Sequence, residues 1–143
     1  MMPIMKQRYR IVLLWICTLL FLVRVMGQIW VGIYHSPLLP PWSEWYSGLL
    51  PYPLLLLTQL LLLMFMAVVN TDQARGAGCF GAVQLQTGNR LRLFGIVYAL
   101  AMIFRYAARM TFVPEARWLG GTIPIGFHLV LASWVILLGV QKR

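Results

Sequence analysis

Four long apolar stretches, separated by polar or proline-rich ones, organise this sequence. Residues 11–33 read IVLLWICTLLFLVRVMGQIWVGI, close to the ~20 apolar residues an α-helix needs to cross ~30 Å of hydrocarbon. Residues 51–69 form a leucine-rich second stretch whose Pro51 and Pro53 suit a first helical turn, where the missing donors have no acceptor to lose. Stretches at about 91–112 and 122–140 complete the set. The pattern predicts an all-α fold, a single domain of four membrane-spanning helices.

The connections differ in character. Residues 35–53 hold five prolines, which excludes a continuous helix. Within them Trp42, Trp45, Tyr46, Leu49 and Leu50 recur at helical spacing opposite Ser43, Glu44 and Ser47, predicting a short helix over about 42–50 lying in the headgroup region. Residues 70–92 are polar and glycine-rich and read as a connection with room for a short surface helix near 80–85. Residues 113–121 read as a turn.

Composition agrees with the pattern. The chain is 61% hydrophobic and only 10% charged, more apolar surface than a soluble domain of 143 residues can bury. A net charge of +9 would suggest nucleic acid in a soluble protein. Here the basic residues sit at segment ends, so the charge is topological. Lys6, Arg8, Arg10, Arg75, Arg90, Arg92, Lys142 and Arg143 fall on one side of the four spans and Arg117 on the other. The positive-inside rule then puts both termini in the cytoplasm, in the inner membrane of a bacterium, with Trp30, Trp42, Trp45 and Trp118 at the outer interface. The basic start and apolar run resemble a signal peptide, but the run continues past Arg24 without a small-residue cleavage pattern and reads as an uncleaved first span. Cys17 and Cys79 stand alone, as small apolar filler rather than a thiol or zinc centre.

Against this background the polar residues inside the spans are conspicuous, since a charged group in hydrocarbon costs about 2.5 to 3.5 kcal/mol even on lenient scales. At ~1.5 Å per residue, Arg24 lies ~20 Å from the cytoplasmic start of its span, Arg105 ~21 Å and Arg109 ~27 Å, with Gln59 and His128 ~10 Å below the outer surface. Arg24 and Gln28 share one helix face, as do Arg105 and Arg109. Two readings follow. Long arginine side chains reach headgroups by themselves, which suits Arg109 better than Arg24 or Arg105. Alternatively the helices turn these groups into a common outer pocket. In that half Arg24, Arg105, Arg109 and Arg117 face only Glu44 and Glu115, an excess of positive charge that an anion would balance, guanidinium forks matching phosphate or carboxylate. The expected site is Arg24 and Arg105 as an anion clamp, Arg109 at its mouth, Gln28, Gln59 and His128 as hydrogen-bonding walls, and Glu44 as counter-charge on the lid. The expected occupant is an anionic lipid, a quinone headgroup or a carboxylate of a partner subunit.

Other chemistry is weaker. Gly76 to Gly81 spell G-x-G-x-x-G, but an apolar span precedes them and no acid follows until Glu115, so a flexible loop is the better reading than a dinucleotide site. Haem would need His35 and His128 on opposite sides of one porphyrin, and His35 precedes Pro37 at the interface, so no cofactor is expected. A metal-dependent enzyme would want several clustered carboxylates, and intramembrane acids that serve proton transport are missing from all four stretches. An accessory or assembly subunit is therefore expected ahead of its rival, a small enzyme acting on a lipid-linked phosphate with His128 as nucleophile.

Overall fold

The computed structural model describes residues 2–34, 39, 45, 51–112 and 122–140. Those residues form four helices: α1 (Met2–Tyr34), α2 (Tyr52–Arg75), α3 (Leu85–Phe112) and α4 (Thr122–Gly139). The fold is an all-α bundle. Three stretches, Gln7–Tyr34, Tyr52–Arg75 and Leu85–Phe112, are long and apolar enough to cross a membrane, and the apolar part of α4, Ile123–Gly139, is shorter.

Three of the four helices are longer than expected. α1 begins at Met2 rather than near residue 11, because nothing in the polar start breaks a helix and Pro3 sits in its first turn. α2 begins at Tyr52, with Pro53 in its first turn, and continues past residue 69 to Arg75, while α3 starts at Leu85 rather than 91. The expected connection of 70–92 shrinks to 76–84, and no surface helix forms near 80–85, where the chain makes turns and bends. Hydropathy falls at Asn70, but the helix does not end there, since Asn70 and Gln73 are buried and hydrogen-bonded. The expected 42–50 helix lies outside the described residues except for Trp45, and Glu44 lies outside them altogether.

The short connection is built by Asp72. Gly76 caps α2 in the left-handed conformation, with φ 65°, and its N–H is donated to Asp72 O. The Asp72 carboxylate accepts the Phe80 N–H at 3.1 Å. Gly78 has φ 94°, and a Cβ there would fall 2.4 Å from the same carboxylate. The glycines of the G-x-G-x-x-G run thus serve a tight turn between two helices.

α1 packs on α2 and on α4, and α4 packs on α3. α1 buries Leu14, Cys17, Phe21, Val25, Gln28 and Val31, an inward stripe at three- and four-residue steps. Leu14, Cys17, Met66, Val69, Trp134 and Leu138 form the core between α1, α2 and α4. Asn70, fully buried, pins those three helices together. Its Nδ2 donates to Leu14 O at 3.3 Å and Thr18 Oγ1 at 2.8 Å, and its Oδ1 accepts Trp134 Nε1–H at 2.9 Å. At the same end Arg10 donates to Val140 O at 2.7 Å and Gln73 Oε1 at 2.6 Å, and Gln73 donates in turn to Phe80 O. α3 is fastened differently. Its only buried residues are Gly88 and Gly95, seated on Gly139, Ala132 and Ile136 of α4, the close small-residue contact by which apolar helices associate without a hydrophobic driving force.

Candidate functional site

Toward the other end of the bundle the inward stripe of α1 turns polar. Arg24, 7% exposed, occupies a position where the stripe would otherwise carry an apolar side chain. One helical turn on, Gln28 is fully buried, and its Oε1 accepts from Arg24 Nη1 at 2.7 Å. Arg24 Nη2 donates to the carbonyl oxygen of Trp45 at 3.3 Å, and the guanidinium carbon stands 5.7 Å from the ring centroid of Phe127 in α4. Both described acceptors are neutral. Of the five N–H donors a guanidinium carries, those two bonds use two.

The guanidinium borders a partly open cavity of about 200 Å³ lined by α1, α2, α4 and Trp45. Its polar lining is Arg24, Thr58, Gln59 and His128, and Phe21, Leu55, Leu62, Pro124, Phe127 and Leu131 supply apolar walls. Trp45 is held there by Gly27, since a Cβ at that position would come within 2.7 Å of the indole ring. Thr58 spends its hydroxyl proton on Leu55 O at 2.8 Å. Gln59 is 7% exposed, and its Oε1 has no hydrogen-bond partner among the described residues. Gln28 presents the complementary case: its Nε2 is buried with no acceptor among the described residues.

His128 reaches the cavity wall from α4 with one ring nitrogen already fixed. Its Nδ1 pairs with the Tyr98 hydroxyl of α3 at 2.5 Å, the two rings lying edge to face with centroids 5.9 Å apart. Tyr98 in turn stacks on Phe94, with centroids 6.0 Å apart.

Of the residues singled out from the sequence, Arg24, Gln59 and His128 therefore line one cavity, and Gln28 backs it through Arg24. Arg105 and Arg109 do not. Both are exposed on α3, Arg109 in its last turn, and neither lines the cavity, so of Arg24 and Arg105, expected to be buried together, Arg24 alone is buried. The physical reason is that α3 packs on α4, on the far side from the cavity, whose described lining comes from α1, α2, α4 and Trp45. His35, Glu44 and Glu115 lie outside the described residues. Sequence reasoning passed over the Trp45 carbonyl, the Phe127 face and the Tyr98 hydroxyl as partners of Arg24 and His128. Only Gly27, three residues after Arg24, hinted that something large seats against α1 there.

No protein-family model, curated protein or solved structure matches the chain. What the site can do is therefore argued from its chemistry. A desolvated guanidinium in an apolar-walled cavity attracts an anion far more strongly than the same group in water, because the local dielectric is low. The described lining has no carboxylate and no thiol, and no group of three or more His, Cys, Asp or Glu able to hold a metal ion occurs among the described residues.

Proposed function

We propose that this chain is an integral membrane protein with all four helices spanning the bilayer, an accessory or assembly subunit that uses the Arg24 cavity to hold the anionic group of a membrane lipid. The observation that carries this reading is the buried Arg24 guanidinium beside a cavity, with neutral groups as its described acceptors. Its three long apolar helices support insertion, as does the apolar surface they turn outward, for example Val23, Leu93 and Phe104. At 18 residues α4 is ~27 Å long, near the hydrocarbon thickness, and it lies between α1 and α3. In the sequence Lys6, Arg8, Arg10, Arg75, Arg90, Arg92, Lys142 and Arg143 fall on one side of the four spans, and the positive-inside rule supports cytoplasmic termini, most simply in a bacterial inner membrane.

Orientation has a direct test in the native cysteines, because Cys79 is exposed between α2 and α3 while Cys17 is buried. A membrane-impermeant maleimide is expected to leave intact cells unlabelled at Cys79 and to label it once the membrane is opened. Labelling of intact cells would invert the topology.

Binding is tested by native mass spectrometry of the protein purified in detergent and offered equal phosphatidylglycerol and phosphatidylcholine. The wild type is expected to retain the anionic lipid, Arg105→Leu to retain it as well, and Arg24→Leu to lose the preference. Equal retention of both lipids by the wild type would remove the reading. His128→Ala is expected to keep the lipid, since the anion is held by Arg24. An enzyme acting on a lipid-linked phosphate would instead keep binding and lose turnover in that variant.

A further inference from the structure

The cavity makes a second demand besides the charge of Arg24. Gln59 lines it, is more than nine-tenths buried, and leaves its Oε1 without a donor among the described residues. A buried amide oxygen left unpaired forfeits its hydration and gains nothing in return. An anion that brings only oxygen acceptors answers Arg24 and worsens the position of Gln59, setting lone pairs against lone pairs. The fitting ligand carries an anionic acceptor and, a short distance away, a hydroxyl donor. The apolar walls contributed by Phe21, Leu55, Leu62 and Leu131 suit a lipid rather than a free polar headgroup.

We infer that the Arg24 cavity selects lipids whose phosphodiester headgroup bears a free hydroxyl, the phosphate taking N–H donors from Arg24 and the hydroxyl donating to Gln59 Oε1. This rests on the binding reading above and adds the headgroup chemistry to it. Discrimination of this kind is strong where a site is built to hydrogen-bond a hydroxyl, because the analogue without it leaves a buried polar group unpaired.

The experiment compares phosphatidylglycerol with phosphatidylethanol, which has the same phosphodiester charge and no hydroxyl, and with phosphatidylcholine, all offered together to the purified full chain and read by native mass spectrometry. Retention of phosphatidylglycerol is expected to exceed that of phosphatidylethanol on the order of tenfold, and both to exceed phosphatidylcholine. Gln59→Leu is expected to erase the first ratio and keep the second. Should that variant fail to fold, Gln59→Met, close in volume, carries the same expectation. Equal retention of the two anionic lipids, with phosphatidylcholine still excluded, overturns the hydroxyl inference and leaves the anion site standing. A ratio unchanged in the Gln59 variants also overturns it. Equal retention of all three lipids overturns both readings, and displacement of the lipid by free glycerol phosphate at equal concentration overturns the assignment to a lipid.

Discussion

Gly139→Leu is expected to separate α3 from the rest of the bundle. A Cβ at position 139 would lie 2.5 Å from the carbonyl oxygen of Gly88 and 2.7 Å from Arg92 Cγ. The first of these is backbone, so no rotamer change relieves it and the two helices must move apart. Overpacking of this kind costs about 1 to 3 kcal/mol and sometimes more. The consequence is local, because α3 packs on α4 and on no other helix with comparable closeness. Hydrogen exchange should therefore quicken along α3 and little elsewhere, with a lowered melting temperature in detergent. Gly126→Leu, on the same helix with open space around its Cβ, is the control and should change neither. Unchanged exchange in α3 of the Gly139 variant would mean that the glycine seam does not hold these helices together.

The second large effect is a dissociation between binding and stability at Arg24. Replacing it with leucine strips the donor from Gln28 Oε1, at a cost of about 1 to 3 kcal/mol for a buried acceptor left unpaired. It also removes a charge from an apolar interior, a change that is often neutral or stabilising by about 1 to 4 kcal/mol when a buried ionic group gives way to a hydrophobic one. These terms nearly cancel, so the melting temperature of Arg24→Leu measured without added lipid should stay close to the wild-type value. Affinity for an anionic lipid behaves otherwise. Losing one partner of a buried charged contact costs about 2 to 5 kcal/mol, so retention should fall about thirtyfold or more. A purely structural Arg24, serving to tie Trp45 to α1, predicts the reverse pattern of lowered stability with unchanged lipid retention.

How far the sequence reached can be read from particular residues. The fourth helix is found at Thr122–Gly139 where 122–140 was expected, because both of its ends coincide with loss of apolarity. The end of α2 was illegible, since Asn70 looks like the start of a loop and is instead the buried hub of three helices. On α1 the spacing of Arg24 and Gln28 placed both on one face, and the structure joins them by a hydrogen bond. Depth along each helix likewise brought Gln59 and His128 to the level of Arg24. Arg105 shows the limit of that reasoning. Its depth follows from counting residues, but its direction depends on which face of α3 meets a neighbour, and that face is marked only by the small residues Gly88 and Gly95. Periodic hydrophobicity locates a seam poorly on a helix that is apolar on nearly every side.

The contact between Arg24 and a lipid phosphate is the point on which the functional reading turns, and solid-state NMR measures it in a bilayer. The protein is labelled with carbon-13 at arginine Cζ and reconstituted in phosphatidylglycerol, and dephasing by phosphorus-31 is compared between the wild type and Arg24→Lys, so that the exposed arginines cancel. The expected difference signal is strongly dephased, placing a phosphorus at hydrogen-bonding range of the Arg24 guanidinium. A difference signal that phosphorus leaves undephased, while the exposed arginines respond, would contradict the account.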